Sequence, residues 1–277
     1  MGREYAIIHA LQDTDVPVPP VVGFEPDTQI TGAPFYVMDY VDGVIARDEE
    51  SGRTLLDLAA RKRATTSLVD VLARLHAVEP DEVGLGNLGR KEDYIARQLK
   101  RWHGQFTQAK IRELPLIDQI HERLMADIPE QGPAAIVHGD YRLDNLILSK
   151  EGTVRAVLDW ELCTLGDPLA DVGLLMVYWS EPSDRTVPLA SAPTLVKGFP
   201  TRKAVAQQYA AFTGRDLSQL DFYVAFGLWK LAIILEGVYA RFAAGAYGDT
   251  DDSYKRFGRI VKELAEQADR VASAAGR

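Results

Sequence analysis

Apolar positions along this chain follow two spacings, one helical and one alternating. In "GREYAIIHAL" the residues Tyr5, Ile8 and Leu11 fall at helical intervals, so the chain opens in a helix. "VPVPPVVGF" is held extended by its prolines and runs into a short strand near Val21 to Phe24. "DTQITGA" reads as a turn, and the β-branched and aromatic "PFYVMDYV" as a second strand. The polar, glycine-bearing "DGVIARDEESG" reads as a linker.

Beyond it the helical spacing dominates. Arg53 to Val78 carries Leu55, Leu58, Leu68, Val71, Leu72 and Leu75 on one broad face, and two further helices follow over Lys91 to Ile111 and Leu114 to Ile128. A strand at "AAIV" comes next, then "NLILS" and "VRAVLDW" around the turn "KEGT", a β-hairpin pattern. In "GDPLADVGLLMVYW" a helix begins, with Asp167 as cap and Pro168 in its first position. "TRKAVAQQYAAFTG" is a helix capped by Thr201 and stopped by Gly214. Long helices over Asp216 to Ala244 and Asp251 to Ala275 close the chain. The expected class is α+β, with a small β-containing part over residues 1–42 and a larger helical part over 43–277.

Composition narrows the partners. The 277 residues are 47% hydrophobic and 26% charged, ordinary for a globular protein able to bury a core. A net charge of -9 argues against nucleic acid or an anionic membrane surface, because phosphate binding wants a basic face. The single cysteine, Cys163, excludes an internal disulfide and a cysteine metal site, and fits a reducing cytoplasm. The N-terminal stretch lacks the long apolar run of a signal peptide. The longest apolar candidate, "LWKLAIILEGVYARF", is interrupted by Lys230, Glu236 and Arg241, so no membrane span is expected.

The chemistry concentrates in "IVHGDYRLDNLIL", Ile136 to Leu148. Asp140 follows a strand, and Asn145 directly precedes the first strand of the hairpin. The loop between them is held at both ends by buried strands. The hairpin's second strand ends at Asp159, which folds back toward Asn145. Two carboxylates and an amide oxygen at one rim, without His or Cys, suit Mg²⁺ shared with substrate phosphates.

"HGDYRLDN" followed by "LDWE" and "GDPLAD" resembles the catalytic core of the aminoglycoside phosphotransferase and choline kinase family, which has the protein-kinase-like fold. "GREY", "APFYVMDYVDG" and "DWELCTLGDPLADVG" are most similar to the phosphotransferase domains related to those fused to acyl-CoA dehydrogenases. The resemblance implies an ATP-dependent transfer of the γ-phosphoryl group to a hydroxyl of a small molecule. Asp140 would be the catalytic base, Asn145 and Asp159 the Mg²⁺ ligands, and Arg142 a cation beside the transferred group. Met38 would wall the adenine pocket, while the Asp39 carbonyl and the Val41 amide pair with the adenine edge. Glu4 would match the helix glutamate that pairs with a phosphate-binding lysine. ATP is not distinguished from GTP, and the acceptor is left open.

In the family a glycine-rich hairpin and a lysine-bearing strand precede the helix of Glu4, and this sequence offers no counterpart of either. Three expectations follow: a kinase whose start lies further upstream, a catalytically impaired module that keeps nucleotide and metal, or a domain completed by another chain. The third includes a homodimer paired through the open edge of the small ribbon. His138 reads as an anchor of the loop backbone, and His76 as a core or capping residue. His9, His103 and His121 read as helix-surface residues. Asp167 and Asp171 read as cap and loop brace, and Cys163 as a packed thiol. Glu161 reads equally as a second-metal contact or a solvated acid. Lys230, Glu236, Tyr239 and Arg241 read as ordinary residues of an amphipathic helix.

Overall fold

The computed structural model describes residues 1–188, 191–245 and 254–275. Helix α1 (Gly2–Leu11) buries Ile7, Ile8 and Leu11. Strands β1 (Val21–Glu25) and β2 (Phe35–Met38) pair antiparallel, with Val21 opposite Met38 and Glu25 opposite Phe35. The stretch read as a turn between them contains one helical turn, α2 (Thr28–Thr31). Asp27 caps it, accepting from the Gln29 amide, and Gly32 ends it in the left-handed conformation. The ribbon is open along its edge, and Val22, Val37, Met38 and Tyr40 are exposed.

The helix expected over Arg53 to Val78 is two helices, α3 (Glu49–Thr54) and α4 (Leu58–Ala77). Local capping breaks it. The Asp48 carboxylate and Ser51 form a reciprocal box at the start of α3, and Asp57 accepts from the Ala60 amide to begin α4 anew. Ala60, Ala64, Leu68, Leu72 and Leu75 of α4 are buried in one core with α1, so residues from both ends of the expected partition share a single hydrophobic interior. Helices α5 (Tyr94–Ala109) and α6 (Pro115–Ala126) follow.

Strand β3 (Ala135–Val137) pairs antiparallel with β6 (Thr164–Gly166), and β4 (Leu146–Leu148) with β5 (Val154–Val157). The β4–β5 hairpin is the one expected. Strand β6 has no counterpart in the sequence pattern: three residues are too short for an alternation to register, and its partner lies far off in sequence.

Helices α7 (Leu169–Tyr178) and α8 (Arg202–Thr213) come next, the second capped by Thr201 and stopped by Gly214 in the left-handed region as expected. The molecule closes with α9 (Leu220–Ala243) packed along α10 (Lys255–Ala275); the expected start of the last helix at Asp251 lies outside the described residues. By length and composition α9 could cross a membrane, but 72% of its most apolar window is buried inside the protein. Its apolar circumference is that of a core helix, in contact with α5, α7 and α10.

Candidate functional site

The loop after β3 is built around one buried carboxylate. Gly139 sits at φ 87°, and a Cβ there would lie 2.9 Å from the Leu162 side chain, so the turn needs glycine on both counts. From α7, Asp171 reaches under this turn. Its Oδ2 accepts from the His138 amide at 2.7 Å and its Oδ1 from the Gly139 amide at 2.8 Å. His76 of α4 adds Nε2 at 3.3 Å, and its Nδ1 lies 2.7 Å from the Tyr209 hydroxyl. Burial pushes Asp171 toward neutrality, but His76, His138 and the Gly139 amide outweigh it and hold its pKa below the usual carboxylate range. His76 and Asp171 are therefore the core residue and the brace that their positions suggested.

His138 fixes the other wall. Its Nε2 lies 2.9 Å from the Leu158 carbonyl, which can only accept, so Nε2 carries the proton. Nδ1 is then the acceptor for the Asp140 amide at 3.3 Å. Burial lowers the His138 pKa and keeps the ring neutral, as this arrangement requires. The residue anchors backbone on both sides of the site.

Asp140 and Asn145 are joined directly. The Asn145 amide nitrogen donates to the Asp140 carbonyl at 2.8 Å and to its carboxylate Oδ2 at 3.1 Å. That commits the nitrogen and leaves the amide oxygen for a cation. The Leu158 amide donates to the Asn145 carbonyl at 2.9 Å. Leu158 is thus tied to both Asn145 and His138, and the next residue is Asp159, exposed and in left-handed backbone at φ 63°. Such a conformation costs a non-glycine residue about 1–2 kcal/mol, and the clamped Leu158 holds it there. Among the described residues no group of three or more His, Cys, Asp or Glu could hold a metal. Two carboxylates and one amide oxygen are instead a partial shell of hard donors, which fits a Mg²⁺ completed by phosphate oxygens.

Arg142 is committed within the loop. Its Nε lies 3.2 Å from Asp140 Oδ2, an ion-pair contact without hydrogen-bond alignment, and its Nη2 lies 3.1 Å from Asp144 Oδ2. The guanidinium packs 4.8 Å from the Tyr178 ring centre. Burial pulls the Arg142 pKa down, but Asp140, Tyr178 and Asp144 outweigh it and the net direction is up. Tyr178 is pushed up by burial and then by Asp140, so a protonated phenol borders the Asp140 carboxylate.

Glu4 takes a partner that sequence reasoning did not foresee. It lies close to the Tyr36 hydroxyl, whose pKa is pushed up to about 12 by burial first and then by Glu4, with Asp159 adding to it. Glu4, Tyr36 and Asp159 therefore share one neighbourhood. Arg3 ties α1 to the segment after Asp159 by donating to the Cys163 carbonyl at 2.7 Å. Met38 ends the ribbon, the Asp39 amide donates back to Pro20 at 2.8 Å, and Val41 is half-buried. The chain then docks on the hairpin through Val44 and Leu148, which exchange backbone bonds of 2.7 and 2.8 Å.

Lys230 and Glu236 are not ordinary amphipathic-helix residues. Both are buried: Lys230 donates to the Gly139 carbonyl at 3.1 Å, and Glu236 takes a two-pronged ion pair from Arg112, 2.6 Å at the closest. A lone lysine inside "FGLWKLAIILEG", a run apolar on every side, is the signal that could have marked the first. His103 and His121 are likewise half-buried and stacked at 4.0 Å rather than free on a surface.

A clamped loop, a hairpin returning an aspartate beside an asparagine, and a helix and ribbon packed near that aspartate make up a protein-kinase-like phosphotransferase fold. The chain belongs to the phosphotransferase enzyme family APH, whose family model matches residues 1–223. Acyl-CoA dehydrogenase family member 10 of Mus musculus is 34% identical over 270 residues, 96% of this chain and 25% of that protein. The chain spans about a quarter to a third of the length of the curated relatives it matches. A crystal structure of a Ralstonia eutropha protein assigned by name to the aminoglycoside phosphotransferases superposes with a TM-score of 0.87 at 31% identity, covering 99% of this chain and 84% of that one. The GDP complex of aminoglycoside 2'-phosphotransferase-IIIa shares the fold at a TM-score of 0.62 and 14% identity, over 96% of this chain and 81% of that one.

Proposed function

We propose that this chain transfers the terminal phosphoryl group of ATP to a hydroxyl of a small molecule in a reducing cytoplasm. The observation that carries the reading is the double hydrogen bond from Asn145 to Asp140, with Leu158 tied to Asn145 one residue before Asp159. Asp140 orients the acceptor hydroxyl and takes its proton as the new O–P bond forms. The bond to the β-phosphate breaks and ADP leaves. Asn145 and Asp159 would hold the Mg²⁺, which neutralises charge on the nucleotide phosphates when bound. Arg142 fixes the Asp140 carboxylate and adds positive charge near the transferred group.

Met38 and the backbone of Asp39 and Val41 take the adenine. Docking of this segment on the hairpin at Val44 and Leu148 supports that role, because it joins the base-binding strip to the strands that carry Asn145 and precede Asp159. Glu4, through Tyr36, keeps α1 against the metal side of the site.

The test is phosphoryl transfer or ATP hydrolysis with Mg²⁺, comparing wild type with Asp140→Asn and Asp159→Asn. Loss of a positioned base lowers the rate by about 10²–10⁴-fold. Equal rates in all three proteins retire the catalytic roles and leave a nucleotide-binding module.

A further inference from the structure

Lys230 sits mid-way along α9 and is 7% exposed. Its ammonium donates to the Gly139 carbonyl, the residue before Asp140, and lies 5.4 Å from the centre of the Trp102 ring. Among the described residues no carboxylate pairs with it. An ammonium has three N–H donors, and a buried cation without a counter-charge is costly. Burial accordingly lowers its pKa, against the opposing pull of Asp171 and Asp140.

The ammonium borders a cavity of about 370 Å³ that Arg3, Arg101 and Glu161 also line. Three cations thus face one acid. The Arg101 guanidinium lies 5.7 Å from the same Trp102 ring, so both cations gather on one indole. A second cavity of about 520 Å³ shares Trp102, Glu161 and Leu162 with the first and continues along Ile233, Ile234 and Gly237. One half of the groove is cationic and adjoins the proposed catalytic loop; the other is mixed, with Ala109, Leu162, Ile233 and Ile234 beside Gln105, Gln108 and Arg241.

We propose that this groove is the acceptor site and that it selects a hydroxy compound carrying an anionic group, a carboxylate or a phosphate, held by Lys230 and Arg101. The rest of the acceptor lies along α9 past Trp102 and Leu162. The inference rests on the phosphotransferase reading and sharpens it: an anion supplies the counter-charge that Lys230 lacks, whereas a polyamine would bring like charge against three cations.

The experiment measures kcat/KM with Mg²⁺-ATP for β-hydroxyoctanoate, its methyl ester, hydroxyoctyl phosphate and kanamycin. Binding of non-reacting octanoate is measured by calorimetry on the same proteins. The acid or the phosphate exceeds the ester by at least about tenfold, and kanamycin is not a substrate. Whichever of the two anions wins names the group. Lys230→Met brings the acid-to-ester ratio close to one. Arg101→Ala, on an exposed position of α5, lowers the ratio with Tm unchanged, so the conclusion does not depend on the buried variant folding. Octanoate binding is lost in Lys230→Met and kept in Asp140→Asn, which separates the anion site from the catalytic reading. An ester or kanamycin used as well as the acid overturns the proposal. So does a preference that survives both substitutions, or octanoate that fails to bind the wild type, even where ATP turnover depends on Asp140.

Discussion

Replacing Asp171 with alanine strips the brace from beneath the loop that carries Asp140. Two backbone amides, those of His138 and Gly139, lose a charged acceptor at 2.7 and 2.8 Å, and His76 loses its contact at 3.3 Å. Asp171 is 1% exposed, so bulk water does not reach these groups in the intact protein. A hydrogen bond to a charged group contributes about 1.5–3 kcal/mol, and two of them give roughly 3–6 kcal/mol. Relief of the buried carboxylate's own desolvation offsets part of this, leaving a net loss of about 2–5 kcal/mol. At about 2–4 °C per kcal/mol for a chain somewhat smaller than this one, Tm falls by roughly 10 °C.

Asparagine is no rescue. The two amides bond to different oxygens of the carboxylate, so in Asp171→Asn one of them would face the new NH₂ group, donor against donor. The loss there is about 2–4 kcal/mol. Acid supplies a second reading. The folded pKa of Asp171 lies below its unfolded value of about 3.9, so its contribution is present above that pH and is lost as pH falls through the folded pKa. The gap between wild type and Asp171→Asn therefore narrows on acidification. Scanning calorimetry from neutral pH down to about pH 3 measures both effects. A Tm change under about 2 °C in both variants, or a gap that widens in acid, would refute the reasoning.

Glu236→Ala leaves Arg112 without its carboxylate and costs about 2–4 kcal/mol in urea unfolding, softened by the Tyr239 ring 4.5 Å from the guanidinium; replacing both Arg112 and Glu236 with methionine costs far less, and equal losses would contradict this. In Gly43→Ala the new Cβ would lie 2.5 Å from Ile147 Cγ2 and 2.6 Å from the Leu148 carbonyl. The Val44–Leu148 bonds must open, lowering stability by about 2 kcal/mol and weakening binding of a fluorescent ATP analogue; an unchanged Tm together with unchanged affinity would show that the segment is not docked as described.

Local chemistry along the chain determined the strand, loop and hairpin that carry Asp140, Asn145 and Asp159, because turn residues and alternating apolar runs act over a few positions. It likewise determined α8, bounded by Thr201 and Gly214. The break between α3 and α4 was written in Asp57, the cap that starts α4, though the apolar stripe running from Leu55 past it masked it. What tertiary structure alone decided are the partners. Strand β6 exists through its pairing with β3, and Glu4 meets Tyr36 across two elements. Lys230 and Glu236 are buried because helices surround α9 on most of its circumference, which its own periodicity does not record. Spacing in a sequence reports which residues share a face; the free energy of burying that face, and the charge each buried group then meets, belong to the packed chain.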